Sequence, residues 1–221
     1  MNLSLLPVEP LPPCRGYQLS ALDRGSEAIS SGASSILVVS PTGTGKTRLA
    51  IEACLRHRAL GGVPLIVAPR RELVAQATRD AVRGGFELDR DIFIRTIQEL
   101  TMPGAAIPSG VTLVVLDEAR HYVAETWGAL HRALPDAVFL GLDATPERAD
   151  GKGLGGLFDV LIEAISIRDA IAQEFLVPFE LLRPDRALMP GELAQDPVDI
   201  YFSKAEGTSA VVFARGVPGA Q

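Results

Sequence analysis

The 221 residues carry 21 Lys and Arg against 27 Asp and Glu, a formal charge of −6, with 47% apolar, 22% charged and 5% aromatic side chains. That composition is globular, so it excludes a fibrous or disordered chain, and its acidic balance leaves any nucleic-acid binding to a local basic stripe. The length suits one α/β domain of ordinary size plus a remnant, and two cysteines, Cys14 and Cys54, offer neither a disulfide framework nor a cysteine-based metal site.

The first thirteen residues lack a basic stretch and are broken by Pro7, so they do not read as a secretory signal. The apolar runs at 36–39 and 113–116 fall far short of the ~20 residues that span a bilayer. A soluble, cytoplasmic chain without membrane contact is expected. Residues 18–31 have helical spacing at Leu19, Leu22 and Ile29. The run 36–39 is short, apolar and β-branched, as in a strand buried on both faces. Residues 46–59 then read as a helix stopped by Gly61-Gly62, 63–68 as a strand, and 71–82 as a helix ending at Gly84-Gly85.

The alternation continues with a strand at 92–95, a short helix at 96–100, a Pro/Gly-rich loop at 103–110 and a nearly all-apolar strand at 111–116. A helix at 124–134 and a strand at 137–140 follow. Alternating buried strands and helices predict an α/β fold, a parallel sheet with helices on both faces. From 184 to 197, with Pro184, Pro190 and Pro197, periodicity is lost and a linker is predicted. Residues 198–204 and 210–214 then look like the start of a new unit. The expected organisation is an ATP-binding domain over 1–183, a linker over 184–197 and the truncated opening of a second domain over 198–221.

Chemistry is concentrated in two places. Ser40-Pro41-Thr42-Gly43-Thr44-Gly45-Lys46-Thr47 lies between a predicted strand and a predicted helix. There, glycines let backbone N–H groups approach a phosphate chain, a lysine offsets its charge and a hydroxyl helps to hold Mg²⁺. Gly43, Thr44, Gly45, Lys46 and Thr47 are the phosphate-binding candidates, and Ser40 departs from the glycine that opens the usual P-loop. The second place is the carboxyl end of the strand 111–116, where Asp117 and Glu118 stand side by side. Ligands of open α/β sheets collect at such ends. Asp117 suits Mg²⁺, and Glu118 suits orienting or deprotonating a water at the γ-phosphate.

Five segments in order resemble the first motor domain of superfamily-two DEAD/DEAH-type helicases and translocases, a RecA-like P-loop fold. Arg15-Gly16-Tyr17-Gln18 looks like their adenine-recognition motif, with Gln18 on the base, and Ser40 to Thr47 like motif I. Val67-Ala68-Pro69-Arg70-Arg71-Glu72-Leu73 looks like motif Ia, which implies that Arg70 and Arg71 touch nucleic acid. Asp117-Glu118-Ala119-Arg120 is similar to motif II, with Arg120 where His or Asp is usual. Gly141-Leu142-Asp143-Ala144-Thr145-Pro146-Glu147-Arg148 looks like motif III, with Asp143 where Ser or Thr is usual, and implies that Asp143, Ala144 and Thr145 couple ATP state to strand movement.

Asp150-Gly151-Lys152-Gly153-Leu154 and Leu157-Phe158-Asp159 are similar to the phage and bacterial DNA-repair branch of these enzymes, which favours DNA over RNA. The resemblance implies ATP and Mg²⁺ as cofactors, catalysis by Lys46, Asp117 and Glu118, and a second motor domain closing the site with an arginine finger. Ala210 to Val217 looks like the opening strand of that domain, so the chain alone is expected to bind MgATP and hydrolyse it slowly unless the missing half is supplied in trans. A nucleotide-binding remnant without catalysis and a small-molecule P-loop kinase are the alternative readings. The Asp117-Glu118 pair and the Ala-Thr-Pro segment weigh against the kinase.

Overall fold

The computed structural model describes residues 9–102, 104–122, 124–146, 154–179, 197–204 and 206–207. Contacts divide the chain into Met1–Val177 and Pro178–Gln221. In the first unit, six strands form one sheet in the order β3-β2-β4-β5-β1-β6, and every pairing is parallel. The strands are β1 (Ser35–Val39), β2 (Val63–Ala68), β3 (Phe93–Thr96), β4 (Val111–Asp117), β5 (Val138–Asp143) and β6 (Val160–Glu163).

Helices α1 (Gly16–Ser30), α2 (Lys46–Ala59) and α3 (Arg71–Arg83) contribute to the core on one face of the sheet, with Ile36, Val38, Ile66, Leu113, Val115, Leu140 and Leu142 beneath them. The other face packs Leu37, Val39, Leu65, Val67, Val114, Leu116 and Phe139 against α5 (Ala124–Ala133) and α4 (Ile97–Thr101) through Trp127, Leu130 and Leu100. Neighbouring residues of each strand serve opposite faces, so a strand covered on both sides must be apolar at every position. That is why β1, β2 and β4 read as continuous apolar runs. Cys54 is fully buried among the apolar residues of the first face, and burial raises its thiol pKa.

The structure adds β6 and α6 (Ile167–Ala172), which the sequence reading passed over. β6 is an edge strand four residues long that alternates between cover and solvent, so it lacks the long apolar signature of its neighbours. Asp159 fixes its approach: one carboxylate oxygen accepts from the Ser34 and Ser35 backbone N–H groups at 2.8 and 3.0 Å and from the Ser34 hydroxyl at 3.0 Å. In the second unit, α7 (Pro197–Lys204) starts on a proline whose fixed φ suits a first helical position. Of the expected linker over 184–197, all but Pro197, which opens α7, lies outside the described residues, as do the expected motif IV strand at 210–217 and Glu147 to Gly153.

Candidate nucleotide site

Strand register brings three chain segments to one edge of the sheet. β5 lies between β1 and β4, with Asp143 opposite Val39 and Leu142 opposite Asp117. The segments leaving β1, β4 and β5 therefore emerge side by side at the carboxyl ends, about 5 Å from strand to strand. The Ser40 N–H donates to the Asp143 carbonyl at 2.8 Å, tying the start of the P-loop to the end of β5.

Gly43 and Gly45 adopt φ of 85° and 81°, the left-handed region that L side chains rarely enter. Gly45 is the N-cap of α2, and no side chain caps the first-turn N–H groups. An uncapped helix start with glycines before it is an anion site. Ser40 is not among the positive-φ residues, so no glycine is required there. It is 2% exposed, and its hydroxyl lies 2.6 Å from the Thr44 hydroxyl, which in turn donates to the Pro41 carbonyl. The departure from the usual P-loop is thus a hydroxyl pair that braces the loop from within. Lys46 Nζ donates to the Ser40 carbonyl at 3.3 Å, and the Thr47 hydroxyl accepts from Gln76 on α3 at 3.2 Å.

Gln18 sits under the loop and is 2% exposed. Its Nε2 donates to the Thr44 and Gly45 carbonyls at 3.1 and 3.0 Å, while its Oε1 accepts from the Arg15 N–H at 2.8 Å. Both amide hydrogens are therefore spent on the P-loop, and one Oε1 lone pair remains. Tyr17 donates its hydroxyl to the same Thr44 carbonyl, and its ring packs 5.3 Å from Phe175, over which the Arg15 guanidinium lies at 4.4 Å. Leu176 reaches the loop at Gly43, where an added Cβ would meet its Cδ2 at 3.0 Å. Sequence reasoning missed Phe175 and Leu176, which belong to a three-residue apolar run, too short to carry a pattern, after a six-residue helix.

Asp117 ends β4, and its Oδ1 accepts from the Glu118 N–H at 3.1 Å. Burial, and next the Glu118 carboxylate, hold its pKa above the ordinary value, with Lys46 opposing. Glu118 itself takes φ 53° and ψ 55°, left-handed for a residue with a side chain, and such strain concentrates at functional turns. Tyr122 supports the turn from below, fully buried with its hydroxyl donating to the Val67 carbonyl at 2.8 Å.

Asp143, 0% exposed, accepts from the Arg120 N–H and Nη1 at 2.6 Å each and from the Ala144 and Thr145 N–H groups at 2.7 and 3.2 Å. Arg120 Nη2 also pairs with Glu118 Oε2 as an ion contact, although the angles do not make it a hydrogen bond. Arg70 and Arg71 stand exposed at the start of α3, after β2. Among the described residues no cluster of His, Cys, Asp and Glu forms a ready-made metal cage, and no helix is long and apolar enough to cross a membrane.

Residues 12–148 match the family described as type III restriction enzyme, res subunit. The chain belongs to that family. The match runs from before Arg15 to Arg148, so the five segments from Arg15 to Arg148 fall inside it. A 51.5 kDa protein of a Lactococcus phage is 24% identical over 208 residues, 84% of this chain and 45% of its own length. The DNA 3'-5' translocase XPB2 of Sulfurisphaera tokodaii is 26% identical over 147 residues, 62% of this chain and 32% of its own. The chain therefore spans less than half of either relative. Among solved structures, the UvsW helicase of bacteriophage T4 is similar with a TM-score of 0.59 at 17% identity, over 69% of this chain and 60% of that one. The fold is that of a helicase RecA-like motor domain, and the family is one of ATP-dependent helicases and translocases.

Proposed function

We propose that this chain binds MgATP at the P-loop and forms one wall of a DNA-translocating ATP motor. The observation that carries the reading is the meeting of an uncapped glycine-rich helix start with Lys46, Asp117 and Glu118 at the carboxyl ends of β1 and β4, the strands on either side of β5. The residues suit the nucleotide: a phosphate chain fits the loop amides at Gly43, Thr44 and Gly45, and Lys46 exchanges its weak bond to the Ser40 carbonyl for the β- and γ-phosphates. Burial, and next the Glu118 carboxylate, disfavour the charged form of Asp117, which a divalent cation held by Asp117 and Thr47 would favour again. Bound Mg²⁺ would neutralise charge on the phosphates.

Glu118 orients the attacking water and takes its proton. Gln18 holds the loop in shape and offers its remaining Oε1 lone pair to the adenine amine. Arg70 and Arg71 hold the nucleic-acid backbone, and Asp143, Ala144 and Thr145 transmit the state of the site to it. DNA is the favoured track, supported by the name of the XPB2 relative. The organisation proposed is a motor domain over 1–183, a linker over 184–197 and the opening of a second motor domain from 198. An arginine finger from such a second domain is worth ~10³–10⁵ in rate in related enzymes, so Met1 to Gln221 alone is expected to turn over slowly.

Single-turnover hydrolysis of radiolabelled ATP, with and without single-stranded DNA, tests the reading. Slow hydrolysis that Glu118→Gln abolishes while ATP stays bound is expected. Binding without any hydrolysis, even with a second motor domain added, would leave a nucleotide-binding module instead.

A further inference from the structure

Besides Ser40 in motif I, two residues depart from the pattern the chain resembles, Arg120 in motif II and Asp143 in motif III. They lie 23 positions apart in sequence and meet in space. Relative to a neutral His and a Ser or Thr, one adds a positive charge and the other a negative charge, so the pair leaves the net charge of the site unchanged. We infer that Arg120 is a positioning residue, anchored on buried Asp143 and holding the Glu118 carboxylate, so that the two departures act as one unit tying the end of β4 to the end of β5. The catalytic part of this inference rests on the function proposed above, whereas the anchoring does not.

The hydrogen bonding of Asp143 supports the anchor. The carboxylate has no solvent exposure and accepts four N–H groups, two of them from Arg120 at 2.6 Å. Buried ionised groups persist only when paired and hydrogen-bonded. Arg120, by contrast, keeps 31% of its side chain exposed. The same guanidinium reaches Glu118, whose backbone sits in a left-handed turn that needs support from its surroundings. Arg120 therefore spans both carboxylates, with its backbone N–H and Nη1 on Asp143 and Nη2 on Glu118.

The unequal burial makes the pair asymmetric. Removing the guanidinium leaves the buried carboxylate three backbone N–H partners but takes away its countercharge, whereas in Asp143→Ser the cation can turn to water and the hydroxyl can accept from the backbone N–H groups. Urea unfolding at pH 8, followed by the fluorescence of Trp127, the single tryptophan, measures this in Arg120→His, Asp143→Ser and the double variant. Arg120→His should raise the unfolding constant by at least ~100-fold and Asp143→Ser by ~10-fold or less, while the double variant returns to within ~10-fold of wild type. If Arg120→His alone does not fold, recovery of folding in the double variant carries the same result. Losses that add in the double variant, or an Arg120→His protein as stable as wild type, would overturn the pairing.

A second cycle adds Glu118→Gln. Its coupling to Arg120 should be present in the wild-type background and absent in the Asp143→Ser background, and persistence without Asp143 would overturn the anchoring of Glu118. In single-turnover hydrolysis, Asp143→Ser should slow the step at least tenfold with ATP affinity unchanged; an unchanged rate overturns the catalytic role. A wild-type protein that never hydrolyses ATP would remove the proposed function and that role together, and the unfolding cycles would still decide the anchor.

Discussion

Replacing Gln18 by Leu separates a residue that reads a base from one that builds the phosphate loop. The substitution keeps the side-chain volume nearly constant and removes three hydrogen bonds, those to the Thr44 and Gly45 carbonyls and that from the Arg15 N–H. Each carbonyl keeps another partner, Tyr17 for Thr44 and the Leu49 N–H for Gly45, so neither is orphaned. The net value of an ordinary hydrogen bond, ~0.5–1.5 kcal/mol, applies to each of the three, which gives ~1.5–4.5 kcal/mol in the ligand-free protein. Urea unfolding without nucleotide reads this directly through buried Trp127. ATP and GTP should both bind more weakly, because the loop amides that meet the phosphates lose their support. If the ligand-free midpoint is unmoved and only the preference for ATP over GTP is lost, the argument that Gln18 shapes the loop is wrong.

Three further outcomes follow from the same contacts. In Gly141→Ala, a Cβ would come within 2.3 Å of the Phe158 ring, so the variant should lose ~1–3 kcal/mol by overpacking; combining it with Phe158→Leu should cost less than the sum of the two, and strict additivity would contradict the contact. Asp159 has its pKa lowered, chiefly by the Ser34 N–H, so its folded value lies below its unfolded one; the stability it contributes is present above about pH 3.8 and lost as pH falls through the lower folded value. Asp159→Asn should therefore be less stable than wild type at neutral pH and converge with it in strong acid, and a pH-independent gap in midpoints would refute that account. Reversing Arg70 and Arg71 to Glu should weaken single-stranded DNA binding and lower the salt slope by ~1.4, two phosphate contacts at ~0.7 each, with ATP binding unchanged; an unaltered slope would remove both from the interface.

The sequence was most informative where the physics is local. α2 and β2 begin and end where expected because Gly45, Gly61-Gly62 and the turn after Ala68 punctuate them. β4 and β5 extend further than their apolar runs, since Asp117 and Asp143 belong to the strands although they are charged. β6 escaped notice because a half-exposed edge strand of four residues needs no distinctive pattern. The glycine-rich turn before α2 was legible from Gly43 to Thr47, but the bracing of Ser40 by Thr44 depends on how the loop closes. The pairing of Arg120 with Asp143 was hidden for a similar reason: it depends on strand register, and each residue taken singly looks only like a departure. Gln18 was recognisable as part of a motif, yet its three loop-side hydrogen bonds come from the packing of α1 beneath the loop.

Equilibrium binding of ATP to wild type and to Lys46→Ala, with Mg²⁺ and with EDTA, bears most directly on the claim that this P-loop and its facing carboxylates form a nucleotide site. Wild type should bind ATP, more tightly with Mg²⁺ than in EDTA, and Lys46→Ala should lose at least tenfold in affinity while unfolding at nearly the same urea concentration. Equal affinity in the two proteins, or binding indifferent to both the lysine and the metal, would contradict the account.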